Sequence, residues 1–473
     1  MLNDASPDFL SSLAGLLPEG RLSDPESRYL EERRGRWQGR AGAVVRPRSV
    51  LEVSRVLAAC SQARVGVVPY AGGTGLVAGQ VMSDGALPLI LSVEGLSKIR
   101  ARYPSENVMV AESGVVLSDV QDAAEEMGVM FPLSLASEGS ARIGGLLATN
   151  AGGVNVLRYG NARDQVLGIE AVLADGTIIN GLKRLRKDNT GYDLRHLIIG
   201  SEGTLGVITA AALRLVPRPS EVGTALLAVP TAAAALKLLN LAQQLAPGLI
   251  SAFELMHKQG IEFLAEAGFA VNVPLKPVPE WLVLIEIGLP RGMSASGLLE
   301  HIFADGLAGE LVIDGVIAAS QSQRDALWAI RETIPEANRK IGAVASHDIA
   351  LPLSEIPDFL SRAAAAIAKI GSFRINAFGH LGDGNLHYNV FPPFGRARAA
   401  VAHLAAAVTE TVHDMVDALD GSVSAEHGLG RHKMPDLERY GDPGKIFAMR
   451  AIKHALDPLG IMNPGAVLRA SEA

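Results

Sequence analysis

The glycines constrain this chain more than any other feature. There are 50 of them in 473 residues, and many gather in clusters at 72–79, 139–145, 152–153 and 200–206. Glycine lets backbone approach a ligand or another backbone closely and adopt turns closed to other residues. Clusters at this density argue against a helical bundle packed throughout by side chains and point to loops wrapped around a ligand. The remaining composition, 48% apolar and 20% charged, is that of an ordered globular protein and excludes extensive disorder. With 43 Lys plus Arg against 50 Asp plus Glu, the net charge is −7, and the pI is near 5.9. A nucleic-acid face or a polybasic membrane surface is therefore not expected. Cys60 is the single cysteine, so no internal disulfide, cysteine-only zinc site or self-contained iron–sulfur cluster can form. The apolar run 225–245 is broken by Pro230, Lys237, Asn240, Gln243 and Gln244, and no segment reads as a membrane span. The opening MLNDASPDFLSS lacks the basic-then-apolar order of a secretory signal; the expected location is cytoplasmic.

Length alone suggests two to four folding units. Residues 1–40 read as a polar, helical lead-in, with Arg33, Arg34, Arg36 and Arg40 around Trp37. From 41 to 219 the pattern becomes strand–helix–strand with glycine clusters between short strands, and Ser49 is placed to cap a helix running through Ser61. Pro217 and Pro219 mark a boundary. Residues 220–420 carry two β–α–β–β–α–β runs, which predict a mixed sheet covered by helices. Residues 421–473 return to glycine- and proline-punctuated chain around an amphipathic helix at 445–456, a segment expected to close over a site built elsewhere.

In the first cluster, VVPYAGGTGLVAGQ (67–80), a strand runs into Gly72, Gly73, Thr74 and Gly75. Converging backbone N–H groups in such a loop can hold a pyrophosphate, although a lone glycine loop is more often a plain turn. It is neither a Walker loop nor a G-x-G-x-x-G dinucleotide fingerprint. In the second cluster, SEGSARIGGLLATNAGG (137–153), small residues occupy nearly every position while Ile143, Leu146 and Leu147 keep the segment inside. A buried, flat ligand requires that combination. The third, GSEGTLGVI (200–208), ends in a strand and offers more exposed backbone.

Near the C-terminus, NAFGHLGDGNLHYNV (376–390) places His380 and His387 on either side of a glycine turn, and SAEHGLG (424–430) adds Glu426 and His427. Two imidazoles and a carboxylate make a three-ligand divalent metal site with an open position, the arrangement of catalytic zinc, although manganese or iron(II) also suits these donors.

The three glycine clusters, in this order and spacing, resemble the FAD-binding module of the vanillyl-alcohol oxidase / p-cresol methylhydroxylase superfamily. With GHLGDGNLHYNV, SAEHGLG and the ending IKHALDPLGIMNPG, the chain resembles the FAD-linked D-2-hydroxy-acid dehydrogenases, with the D-2-hydroxyglutarate group the nearest, over about residues 20–468. The resemblance implies an α+β fold: a two-part FAD-binding domain of the p-cresol methylhydroxylase type plus a ferredoxin-like substrate (cap) domain. It implies an FAD site made by Tyr70, Ala71, Gly72, Gly73, Thr74, Gly75, Leu76 and Gln80 at the pyrophosphate. Ser137, Gly139, Ser140, Ile143, Gly144, Gly145, Thr149, Asn150, Gly152 and Gly153 would follow along the flavin. Gly203, Gly206, Val207 and Ile208 would lie toward the adenine, and Asn463 near the flavin. Thr74 stands where members with covalent flavin carry a histidine, so noncovalent FAD is implied. His380, His387 and Glu426 match metal ligands, zinc being the first candidate. Arg331 matches an arginine that binds the substrate carboxylate, Asn389 a substrate contact, and His427 the base that removes the hydroxyl proton.

Two positions depart from the hydroxyglutarate pattern. Ser346 replaces a lysine, and Pro335 replaces a threonine that would contact the distal carboxylate. The expected reaction is oxidation of a D-2-hydroxy acid by hydride transfer to flavin N5, with the hydroxyl metal-assisted. Electron-transferring flavoprotein or a quinone is the expected acceptor, and a homodimer the assembly seen in relatives. An inert flavin-binding protein and a metal-dependent hydrolase are the alternatives; the hydrolase leaves the glycine clusters without a role.

Overall fold

A computed structural model describes residues 1–469 and resolves two units. The first takes in Met1–Gly153, Gly160–Arg218 and the chain from Glu426 onward; the second takes in Val154–Tyr159 and Pro219–Ala425. The polar lead-in holds one eight-residue helix, Pro7–Ala14, started by Ser6, whose hydroxyl accepts from the Phe9 amide.

The first unit contains two larger sheets. Strands β1 (Leu22–Ser23), β2 (Ala43–Val45), β3 (Val67–Tyr70) and β4 (Leu89–Ser92) form a four-stranded sheet in the order β1-β2-β4-β3. Here β2, β4 and β3 run parallel, because helix Val50–Ala63 carries the chain back between β2 and β3. Ser49 caps that helix as its position suggests, accepting from the Glu52 amide. Strands β5 (Ile99–Tyr103), β6 (Val108–Glu112), β8 (Val166–Val172), β9 (Ile178–Gly181) and β10 (Val207–Arg214) form an antiparallel sheet ordered β5-β6-β10-β8-β9. A short pair joins β7 (Val129–Met130) to β11 (Val216–Pro217). The C-terminal chain belongs to this unit: Met462 pairs in parallel with Val67 beside β3, and Ile461 and Met462 are buried in the core of the parallel sheet.

The second unit is one seven-stranded sheet of β12 (Glu221–Val229), β13 (Ile250–His257), β14 (Trp281–Leu289), β15 (Asp314–Ile317), β16 (Ala345–Ala350), β17 (Arg374–His380) and β18 (Asn385–Phe391), ordered β15-β12-β14-β13-β17-β18-β16. The first four strands have the 4-1-3-2 order of a ferredoxin-like motif, and the last three repeat its 2-3-1 part. Every ladder is antiparallel, which corrects the expected mixed pairing. The helix crossovers from β12 to β13, β14 to β15 and β16 to β17 each join strands that run the same way with one strand between them, whereas β13 and β14, joined through helix Lys258–Glu266, are antiparallel neighbours. Helices Ala232–Leu245, Ala295–Ala308, Ile356–Ile370 and Ala405–Ala418 bury one face of the sheet. Lys258–Glu266 and Gln321–Ile341 pack apolar residues against the other.

Strand parity decides what that second face carries. Because alternate residues share a face, Phe378 of β17 and Phe391 of β18, both packed under those two helices, fix the side on which His380, His387 and Asn389 stand.

Candidate functional site

In the first unit the three glycine clusters meet backbone to backbone. A Cβ on Gly72 would lie 2.3 Å from the Ser140 carbonyl oxygen, and one on Gly145 would lie 3.0 Å from the Ala71 methyl. Gly144 is pressed against Ser113, whose carbonyl accepts from the Gly144 amide at 2.7 Å. Gly203, at φ +71°, abuts Pro69, and Gly206 abuts the Val172 carbonyl. Thr149 and Asn150 close the helix Ile143–Ala148: the Thr149 hydroxyl donates to the Gly145 carbonyl, and the Asn150 side chain accepts from the Arg163 amide. Gln80 folds back to donate to the Gly75 carbonyl at 2.9 Å, which tightens the first loop, and Tyr70 anchors its start by donating to the Arg28 carbonyl. Val207 and Ile208 begin β10, while Gly139 and Ser140 lie exposed in the turn 137–140. No Cβ-filling contact surrounds Gly139.

The donor set fits an anionic cofactor. The amides of residues 72–76 have no protein acceptor among the described residues, although they follow a buried parallel strand. Such a run of amides is suited to a pyrophosphate. Leu76, Ser137 and Gly152 line the same loops.

Two residues that the sequence did not single out hold these loops to the C-terminal chain. Glu202, in a left-handed turn at φ 52°, accepts from the Leu429 and Gly430 amides, both at 2.8 Å; burial raises its pKa. The Arg431 guanidinium donates to the carbonyls of Ala78, Gly79, Val81 and Pro464 and to the Asn463 side chain. Burial pushes its pKa down to about 10. Asn463 donates in turn to the carbonyls of Gly79 and Glu202. The structure thus spends the Asn463 side chain on clamping loops. A lone arginine in GLGRH gives no sequence signal for this.

In the second unit the chemistry lies on one sheet face. Glu254 on β13 is fully buried directly opposite His380 on β17. Its Oε1 meets His380 Nδ1 at 2.6 Å, and its Oε2 accepts from Arg331 Nε at 2.7 Å. Burial by itself would raise the Glu254 pKa, but the charges of His380 and Arg331 and their hydrogen bonds hold it down at about 2. Arg331 descends from helix Gln321–Ile341, 7% exposed, with its guanidinium 4.8 Å from the Phe378 ring centre. Its Nη atoms have no protein acceptor among the described residues. The His380 and His387 rings are 5.8 Å apart across the turn containing Gly384, at φ +84°. His387 Nδ1 lies 3.8 Å from Asp348, which also accepts from Asn385. Buried Asn389 stands opposite Ser346 and Asn376. Ser346 is exposed, as is Pro335, one helical turn beyond Arg331. The sequence reading missed Glu254, whose only signal is a single carboxylate in the apolar strand ISAFELM.

Ser422 pairs with Ala350, and the Ala425 amide donates to Asp348, so β16 fixes where Glu426 follows. One ligand atom each from His380, His387 and Glu426 lies within 4.8 Å of the others. With His380 Nδ1 bonded to Glu254, Nε2 is the ring nitrogen that would hold a metal, the usual pairing of a carboxylate behind a metal-ligating histidine. The three donors therefore fit a divalent metal. His427 is half-buried beside Glu426 in the chain.

Family matches divide the chain near residue 218, where the second unit's main segment begins. Residues 41–181 match an FAD-binding domain family, and residues 218–467 match the C-terminal domain of FAD-linked oxidases. D-2-hydroxyglutarate dehydrogenase of Bos taurus, a mitochondrial protein by its name, is 37% identical over 98% of this chain and 84% of its own length. D-2-hydroxyglutarate dehydrogenase of Xanthomonas citri pv. viticola is 36% identical over 93% of this chain and 91% of its own. The chain belongs to the FAD-linked D-2-hydroxy-acid dehydrogenases. It is an FAD-dependent oxidoreductase. Substrate-bound p-cresol methylhydroxylase superposes with a TM-score of 0.75 over 99% of both chains at 15% identity, and so shares the fold. Among the described residues no helix is long and apolar enough to cross a membrane.

Proposed function

We propose that this enzyme oxidises a D-2-hydroxy acid to the corresponding 2-oxo acid. The observation that carries the reading is Arg331, whose Nη atoms meet no protein acceptor among the described residues, on the sheet face that also carries His380 and His387. Arg331 binds the substrate carboxylate through its Nη edge, where a planar fork matches two carboxylate oxygens. Asn389 orients the substrate from the neighbouring strand. His427 accepts the hydroxyl proton as the Cα hydride leaves, so the alcohol loses one proton and one hydride and becomes a carbonyl. FAD, when bound, supplies the two-electron acceptor for that hydride. A divalent metal held by His380, His387 and Glu426, with zinc the first candidate, would supply positive charge that eases loss of the hydroxyl proton.

The FAD is proposed to be noncovalent. Thr74 offers no imidazole, and Cys60 is buried in helix Val50–Ala63 with its thiol pKa pushed up to about 12 by burial. Reduced flavin would pass electrons to electron-transferring flavoprotein or a quinone, and a homodimer is the proposed assembly. D-2-hydroxyglutarate is a proposed substrate alongside D-lactate and D-malate, because Ser346 and Pro335 bring no second cation and no hydroxyl for a distal carboxylate. The deciding experiment mixes the purified enzyme anaerobically with a panel of D- and L-2-hydroxy acids and follows flavin absorbance. Bleaching by D-acids and not by L-acids is expected; no bleaching by any of them would overturn the assignment.

A further inference from the structure

We propose that Glu254 is a positioning residue that fixes the carboxylate-binding arginine and a metal-holding histidine as one unit, so that substrate grip and metal affinity change together. This rests on the roles given above to Arg331 and His380.

The argument is geometric. Glu254 has no solvent exposure, and a carboxylate so placed is costly unless both oxygens are satisfied. Each oxygen serves a different element: Oε2 takes Arg331 Nε from the helix, and Oε1 takes His380 Nδ1 from the neighbouring strand. The ladder sets Glu254 directly across from His380, so the distance between carboxylate and imidazole follows from strand pairing. The bond at Nε fixes the plane of the guanidinium and directs its Nη edge away from Glu254, while Phe378 covers one of its faces. The bond at Nδ1 fixes the imidazole's rotation and leaves its proton on the nitrogen that faces Glu254. A glutamine cannot repeat this. Its carbonyl accepts from one partner, and its NH2 then opposes the other. If that NH2 faces His380, the imidazole satisfies it by moving its proton to Nε2, the nitrogen assigned to the metal. A structural ion pair would stabilise the fold without tying these two functions to each other.

The test uses the full chain loaded with FAD. Zn²⁺ affinity is measured by competition with a chromophoric chelator in the absence of substrate, and KM and kcat are measured for the preferred D-2-hydroxy acid. Glu254→Gln is expected to retain its flavin spectrum yet bind Zn²⁺ about 10- to 100-fold more weakly, the usual loss when a partner behind a metal ligand is removed. Its KM should rise along with the fall in kcat. Wild-type Zn²⁺ affinity in a folded Glu254→Gln protein overturns the inference. Should that variant fail to hold FAD, Arg331→Met decides the matter, since it alters no atom assigned to the metal. Weakened Zn²⁺ binding in Arg331→Met supports the coupling, and unchanged binding overturns it. A wild type that binds neither Zn²⁺ nor Mn²⁺, with His380→Ala equally silent, would instead remove the metal reading on which the inference rests.

Discussion

At the scale of single residues, this protein depends on positions where a Cβ has nowhere to go. Gly73 has φ +66°, and an added Cβ would lie 2.1 Å from the Tyr70 hydroxyl; Gly153 has φ +134°, with its Cβ 2.1 Å from the Ser134 carbonyl. Both the backbone conformation and the space oppose a β-branched side chain. Gly73→Val and Gly153→Val are expected to purify with less FAD, read as a lower ratio of flavin to protein absorbance. Full occupancy in both would mean that the loops do not form the cofactor cradle. His427 differs in kind, because the role proposed for it is chemical. His427→Ala should keep flavin bound while slowing its reduction by roughly 10²- to 10⁴-fold, the usual contribution of a positioned base. Stopped-flow traces matching wild type would exclude His427 from proton removal. The glycine clusters were legible in the sequence because each is marked by its immediate neighbours, and the role proposed for His427 rests on the same kind of local motif. Glu254 was not, since its partners Arg331 and His380 lie 77 and 126 residues away.

At the scale of elements, the C-terminal chain is tied into the first unit by polar bonds as well as apolar burial. Asn463, 3% exposed and at φ 42°, joins Gly79, Glu202 and Arg431 through three hydrogen bonds. At about 0.5–1.5 kcal/mol net for each bond, Asn463→Ala should cost about 2–4 kcal/mol. Urea unfolding followed by circular dichroism measures this, with loss of FAD expected at a lower urea concentration than in wild type. A shift below about 0.5 kcal/mol would show that ordered water replaces these bonds. The sequence indicated a closing segment and placed Asn463 near the flavin, and the structure adds that its side chain ties loops together. The clamp became visible only when residues 79, 202, 431 and 463 were placed together, because none of the four carries a local signature of its partners.

At the scale of the whole molecule, the loops that suit FAD belong to one unit and the polar sheet face to the other. Chelation should abolish turnover while leaving bound flavin in place, with Zn²⁺ or Mn²⁺ restoring activity; full activity after verified metal removal would leave His380, His387 and Glu426 as hydrogen-bonding groups. Substrate preference tests where a distal carboxylate binds. Ser346, exposed opposite Asn389, is the position at which Ser346→Lys would add a cation. A charge-assisted bond of about 1.5–3 kcal/mol corresponds to roughly 10- to 100-fold. The ratio of kcat/KM for D-2-hydroxyglutarate over D-lactate should rise by about that factor, and an unchanged ratio would place the distal carboxylate elsewhere.

The sequence by itself determined the cofactor class and the metal-ligand candidates. Both are written in short motifs whose glycines, histidines and carboxylates must be close in the chain to do their chemistry. Tertiary structure alone decided the antiparallel pairing of the seven-stranded sheet, the yoking of Arg331 to His380 by Glu254, and the clamp made by the Asn463 side chain. Strand order, buried ion pairs and loop clamps depend on which distant segments become neighbours. That is settled by the joint packing of apolar faces and the need to satisfy buried polar groups, and no local pattern records it.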